Sequence, residues 1–214
     1  MLSVSRKKSF CNVLGPGTRS VIWFAGCSRR CPDCIADTGT GAGPVELISP
    51  DELAHWVLGN KGIEGITLSG GEPFEQALTL LARFLKLVRM NSELSVLAYS
   101  GYRYEQLLEM AATEEVLQYV DVLIDGEYRL EEDFGQRWRG SENQRFLFLS
   151  DRYAEEEPVW YAAKSREIEI ELAANGTFTL SGVPTCSFLN RFTTLLAQNN
   201  VTLTFAQAHE DQHD

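Results

Sequence analysis

Short apolar runs alternate with stretches of helical spacing along the chain. Val21-Ile22-Trp23-Phe24 is continuously apolar, the pattern of a parallel strand covered on both faces. Residues 63–68, 94–99 and 122–124 repeat that pattern, and each run ends at glycine, serine or aspartate. Helices fall between them. Ser49-Pro50-Asp51-Glu52 is a helix start, with Ser49 as cap, proline in the first turn and Glu52 completing a capping box. Leu53, Trp56 and Val57 form that helix's apolar face, and Gly59-Asn60 ends it. Residues 73–91 contain a longer helix, with Leu78, Leu81, Leu85 and Val88 at helical spacing. Residues 104–112 read as a helix and 114–119 as a further turn. Such alternation predicts an α/β fold whose parallel strands are joined by right-handed crossovers. The number of strands predicts a partial parallel (β/α) barrel, not a closed eight-stranded one.

The flanks have a different pattern. Residues 1–10 are polar and predict a frayed end or a short strand, and 35–45 read as loop. Residues 127–145 form a polar connection, followed by a short strand at 146–149. The charged stretch 152–158 reads as a linker, which divides the chain into a core, 1–150, and a C-terminal extension, 151–214. Within the extension, 168–172 alternates, Asn175-Gly176 is a hairpin turn signal and 178–180 returns. Residues 187–198 read as a helix, 201–205 as a strand or extended end, and 209–214 as a solvated tail. The predicted extension is thus a small hairpin plus a helix.

Composition narrows the function classes. Hydrophobic residues make up 44%, ordinary for a globular chain. The formal net charge of -11 disfavours nucleic acid as a standing partner, because phosphate binding needs a basic stripe. No apolar run is long enough to span a bilayer. Arg6-Lys7-Lys8 is not followed by the apolar segment of a signal peptide. The expectation is a cytoplasmic protein with no membrane partner. Five cysteines, three of them clustered, fit metal binding in a reducing compartment better than disulfides.

Those three are Cys27, Cys31 and Cys34, spaced C-x3-C-x2-C. The compact spacing lets the thiolates converge on one metal centre. Soft thiolates select zinc or an iron–sulfur cluster. A closed structural site wants four ligands, whereas three leave one coordination position open for chemistry. Cys11 and Cys186 are remote and read as small buried residues; His55, His209 and His213 are remote as well. On spacing alone, a zinc knuckle borrowing a distant ligand stays open. Gly70-Gly71 is either a strand-to-helix turn or a place where bare backbone can approach a ligand. Cys27, Gly71, Ser100 and Asp125 each follow a predicted strand, at the edge where parallel sheets place their sites.

The cysteine loop is followed about forty residues on by Thr67-Leu68-Ser69-Gly70-Gly71-Glu72-Pro73. Both motifs in this order resemble the radical S-adenosylmethionine (SAM) superfamily. The resemblance implies that Cys27, Cys31 and Cys34 hold three irons of a 4Fe-4S cluster while SAM chelates the fourth. It implies reductive cleavage of SAM to methionine and a 5'-deoxyadenosyl radical that abstracts hydrogen from a substrate. It also implies SAM contacts from Asp33, Cys34 and Ile35 around the last cysteine, and from Gly70, Gly71 and Glu72, with capping of the next helix as the other reading of Glu72. Ser100 and Asp125 are further candidates for SAM binding, against turn-making and strand-end capping roles. Asp33 stands where many members carry an aromatic residue. A bulky residue at Gly71 is expected to block the methionyl end of SAM while sparing the cluster.

Three more stretches narrow the resemblance: Gly15-Pro16-Gly17-Thr18-Arg19, Asp121-Val122-Leu123-Ile124-Asp125-Gly126, and Trp138-Arg139-Gly140-Ser141 with Asn143-Gln144-Arg145. Together they resemble the glycyl-radical-enzyme activases, in particular the activating component of anaerobic ribonucleotide reductase. The implied partners are a glycyl radical enzyme as substrate and an electron donor such as a flavodoxin or ferredoxin. Modification of a peptide or small metabolite is the second function class, and a non-catalytic zinc or Fe–S module the third.

Overall fold

The computed structural model describes residues 1–34, 45–172, 174 and 178–199. The predicted segment 35–45, apart from its last residue, the turn at Asn175-Gly176, the strand at 201–205 and the tail lie outside the described residues. The fold is mixed α/β, built on one seven-stranded sheet ordered β3-β1-β2-β4-β5-β6-β7. Its centre is parallel: β2 (Arg19–Phe24), β4 (Gly65–Gly70), β5 (Ser95–Ser100) and β6 (Val122–Asp125). Antiparallel strands flank it, with β1 (Leu2–Cys11) between β2 and β3 (Glu46–Ile48), and β7 (Arg145–Phe148) beside β6. Register brings the strand ends level, because Phe24 pairs with Gly70 and Ser100 with Asp125.

One face of the sheet carries Ile22, Phe24, Leu68, Ala98 and Leu123, all buried against the helices. These helices are α1 (Pro50–Gly59), α2 (Leu78–Asn91), α3 (Tyr104–Glu109) and α4 (Thr113–Leu117). The capping box forms on α1 as its sequence requires: Ser49 Oγ accepts from the Glu52 amide and Glu52 accepts from the Ser49 amide. The other face carries Val21, Trp23, Leu97, Val122 and Ile124, and among the described residues no crossover helix covers it. Trp138 and Trp160 close one half of that face, ring to ring at 4.8 Å.

Two expectations change. The N-terminal segment, read as a frayed end or a short strand, is a strand of ten residues. Its charged side chains hide the pattern because each has a partner. Arg6 stacks on Trp23 at 3.7 Å, Lys7 pairs with Glu46, and Lys8 pairs with Glu169 and Glu171. The stretch 152–158 is not a linker either. It forms a 3-10 turn and α5 (Glu157–Ala162), anchored by Tyr153, which donates to Ser95 Oγ at 2.9 Å, and by buried Trp160. Beyond it, β8 (Ile168–Leu172) pairs antiparallel with β9 (Phe178–Gly182), and α6 (Cys186–Gln198) follows. No helix among the described residues is long and apolar enough to cross a membrane.

Candidate metal centre and cofactor cavity

At the end of β2 the chain turns through Gly26, at φ +87°, into the cysteine loop. Arg30 and Asp33 adopt positive φ, which coils the loop tightly, and the Cys34 amide donates to the Cys31 carbonyl at 3.2 Å. Neighbouring strand ends hold the loop. The Gly71 amide donates to the Phe24 carbonyl and the Glu72 amide to the Gly26 carbonyl, both at 2.8 Å. A Cβ added at Gly71 would meet the Gly26 carbonyl oxygen at 2.0 Å, so only glycine permits this crossing. Glu75 makes the next tie. It accepts from the Ser28 amide, from Ser28 Oγ and from the Tyr102 hydroxyl.

Above these strand ends lies a cavity of about 440 Å³. Cys27, Cys31, Asp33 and Cys34 line it from the loop, and Gly70, Gly71, Glu72 and Ser100 from the ends of β4 and β5. The structure therefore brings eight of the sequence-predicted residues to one site. Asp125 is not among them. Its buried carboxylate accepts from the Tyr104 amide at 2.7 Å and pairs with Arg145, so it caps α3 and ties β6 to β7. Ile35 lies outside the described residues. Cys186, expected to be buried packing, lines the same cavity, with Sγ 3.7 Å from the Tyr128 hydroxyl.

Glu72 is buried, and its carboxylate accepts from the Phe74 amide, the Gly101 amide and Ser100 Oγ. It therefore locks the end of β4 to the end of β5. Burial outweighs these donors and pushes its pKa up to about 7. Burial also raises the Cys27 thiol, with Glu72 and Glu75 adding to the effect. At Glu75 burial acts upward too, but the Ser28 and Tyr102 hydrogen bonds prevail and hold it below the usual carboxylate range.

Three soft donors on one coiled loop, facing one cavity, match the needs of an iron–sulfur cluster. Among the described residues no three histidine, cysteine or acidic groups converge on a single metal ion. A cubane does not ask for that, since each thiolate takes a different iron. Arg29 lines the cavity with a buried Nε that has no protein acceptor, while its Nη2 pairs with Glu127 at 3.1 Å. An unpaired buried donor beside the thiols is a place for an acceptor atom of a bound group.

The chain matches the 4Fe-4S single cluster domain family over residues 13–147, the segment that holds the cysteine loop and the level strand ends. It is 33% identical over 144 residues to an anaerobic ribonucleoside-triphosphate reductase-activating protein of Enterobacteria phage T4, covering 65% of this chain and 89% of that protein. Similarly named proteins of Vibrio cholerae and Escherichia coli K12 are 31% and 32% identical, each match covering 62% of this chain, and 88% and 89% of the relatives. The chain belongs to the 4Fe-4S single cluster domain family, alongside these activating proteins. In this family member, Cys27, Cys31 and Cys34 are the soft donors that the matched segment places together.

Sequence reasoning missed several residues of the cavity. Arg6 and Trp23 line it from β1 and β2, Tyr128 and Gln144 from the polar connection, and residues 180–190 from the extension. Only alternation in β1, with Arg6 facing the side of Trp23, could have signalled the first pair.

Proposed function

We propose that this chain is a radical SAM activase that installs a glycyl radical on an anaerobic ribonucleoside-triphosphate reductase. The observation that carries this reading is the single cavity shared by Cys27, Cys31, Cys34 and the Gly70-Gly71-Glu72 turn, in a chain similar to reductase-activating proteins. The fold is then the partial parallel barrel of radical SAM type. Residues 1–150 are its core and 151–214 an extension to it. A bound, reduced cluster would supply the electron that cleaves SAM to methionine and a 5'-deoxyadenosyl radical.

The protein's part is to hold and orient. Cys27, Cys31 and Cys34 would hold a 4Fe-4S cluster through their thiolates, beside the strand ends that would hold SAM. The Gly71 and Glu72 amides are already bonded to the cysteine loop. Backbone at this turn therefore offers carbonyl oxygens to the SAM ammonium, not amides to its carboxylate. Arg29 Nε is the unspent donor for an acceptor on SAM or the cluster. Asp33, beside the last cysteine, lines the cavity and would contact the adenosyl end. Ser100 acts through Glu72, since its hydroxyl donates to that carboxylate while accepting from the Tyr102 amide. The electron donor is a small carrier such as a flavodoxin or ferredoxin, and the compartment is the cytoplasm.

The test is anaerobic reconstitution with iron and sulfide, then reduction with dithionite in the presence of SAM and the reductase of the same organism. The expected result is 5'-deoxyadenosine together with a glycine doublet in electron paramagnetic resonance that disappears in Cys31→Ala. Vigorous SAM cleavage with no protein radical would overturn the activase reading.

A further inference from the structure

The family match ends at residue 147, yet the cavity does not. Leu180, Gly182, Val183, Pro184, Leu189 and Asn190 line it together with Ser181 and Cys186. The extension is therefore one wall of the same space that the three cysteines face.

That wall is fixed in place by core residues. Arg6 Nη1 donates to the Leu180 carbonyl at 3.2 Å and Nη2 to Ser181 Oγ at 3.1 Å, while the guanidinium lies over Trp23. Arg166 pairs with Asp133 at 2.7 Å and donates to the Gln136, Arg139 and Gly140 carbonyls. Val183 packs against the cluster of Cys11, Val13, Leu14, Val21 and Trp23. These ties make the hairpin a built part of the site and not a loose tail.

Its chemistry is selective. None of the eight residues that face the cavity carries a charge, and Ser181 Oγ already binds Arg6. Arg6, the cation that holds this wall, already donates to the Leu180 carbonyl and Ser181 Oγ, so the wall's own residues offer no counter-charge to a phosphorylated or otherwise charged metabolite. Main chain with small side chains is what such a wall accepts, because it offers van der Waals contact and one amide, Asn190, at an exposed position.

We infer that residues 180–190 form the substrate-facing wall of the site and that this wall, through Leu189 and Asn190, sets which partner loop is admitted. The occupant is an uncharged glycine-bearing loop of the reductase, so the inference rests on the proposed function above. The matched relatives are covered to 88–89% while 62–65% of this chain is used. The wall is thus a means by which this chain selects its own reductase within a shared core.

Two measurements on the full chain test this without relying on turnover. In hydrogen exchange of the protein lacking its cluster, adding the reductase should slow exchange in peptides spanning 180–190. In calorimetric titration, Leu189→Arg and Asn190→Trp should each weaken reductase binding about tenfold or more. Asn190 is solvent-exposed, so its variant reports even if Leu189→Arg does not fold. Unchanged affinity in Asn190→Trp together with no protection of 180–190 overturns the inference. If wild-type protein forms no glycyl radical on the reductase, the proposed function itself fails. If it forms the radical and the wall neither gains protection nor affects affinity, only the present inference fails.

Discussion

Two stretches carry motif-like sequence, the cysteine loop and the Trp138–Arg145 run, and they end in opposite states. In the loop, Cys27, Cys31 and Cys34 face the cavity, and the ties to the core come from Ser28, Arg29 and backbone. In the run, most polar side chains are spent within the protein, several of them on its own main chain. Arg139 donates to the Glu142 and Gln144 carbonyls. Gln144 accepts from the Gly140 amide and donates to the Gly126 carbonyl, and Asn143 donates to the Glu127 carbonyl. One stretch therefore keeps its reactive groups for a bound cofactor, whereas the other uses its polar groups to make an irregular segment foldable. The Gly15–Arg19 motif belongs with the second kind. Arg19 is fully buried and binds Thr67 Oγ1, Ser95 Oγ and the carbonyls of Pro16, Ile66 and Ser95.

Breaking the first stretch should abolish function and leave the fold. Cys31→Ala removes a cluster ligand outright. The loss of iron affinity should exceed the roughly 10–100-fold that losing a mere supporting partner of a ligand costs. Measured on protein stripped of its cluster, the unfolding midpoint should hardly move, since substitutions away from the core change stability by about 0.5 kcal/mol or less. Iron analysis and denaturant unfolding of one preparation check both halves. Breaking the second stretch should do the reverse. Trp138 packs edge-on against Trp160 and is 5% exposed, so Trp138→Ala should cost about 3–5 kcal/mol. Protein that stays folded should still bind iron.

The central strands and most helices were legible because burial imposes its period on the sequence. Val21–Phe24 is covered on both faces and reads as unbroken hydrophobicity. β1 was legible only as a frayed end or a short strand, because its outward residues are paired cations, not solvated ones. The helical stretch at 151–162 was hidden by charge, while Tyr153 and Trp160 do the anchoring. At the site, the cysteines and the glycine turn were legible because their residue types have few other uses in such order. The distinction between Ser100, which lines the cavity, and Asp125, which does not, was not legible. Both follow strands, and only the position of Arg145 on the antiparallel neighbour β7 decides that Asp125 is taken.

Glu72 lies between the two kinds of stretch, since it faces the cavity yet uses its carboxylate for folding. Its pKa of about 7 lies above the unfolded value of 4.5, so the folded state holds its proton more tightly. That stabilisation is complete below the unfolded value and is lost as pH rises through about 7. Protein lacking its cluster should therefore lose stability between these two pH values, by about 3 kcal/mol at most. Denaturant midpoints across this range should flatten in Glu72→Gln. A slope retained in that variant would place its source elsewhere. A smaller effect is expected at Gly71. Gly71→Val must displace the Gly26 carbonyl, at an overpacking cost of about 1–3 kcal/mol. The displaced residue opens the cysteine loop, so cluster and SAM binding should fall together. Iron content measured beside SAM affinity tests this, and a variant with full iron and weakened SAM binding would show that the loop had not moved.

Glu75 offers the mildest and most local test, because it links the exposed loop at Ser28 to the settled core through side-chain bonds. Its carboxylate accepts from the Ser28 amide at 2.8 Å and from the Tyr102 hydroxyl at 2.8 Å, as well as from Ser28 Oγ. It is itself exposed, so Glu75→Ala should lower global stability by only about 1 kcal/mol. The larger change should be in the loop. With the acceptor gone, the Ser28 amide should exchange with solvent faster while amides of β4 and β5 keep their protection. Glu75→Gln retains one carbonyl oxygen and should recover part of that protection. The carboxylate is held below its ordinary pKa, so its stabilisation is present above the unfolded value of 4.5 and is lost as pH falls through the lower folded value. Ser28 protection should therefore weaken on acidification in wild type and be insensitive to pH in Glu75→Gln, once intrinsic exchange rates are corrected. Equal Ser28 exchange in wild type and Glu75→Ala would show that backbone bonds from Gly71 and Glu72 suffice to hold the cysteine loop.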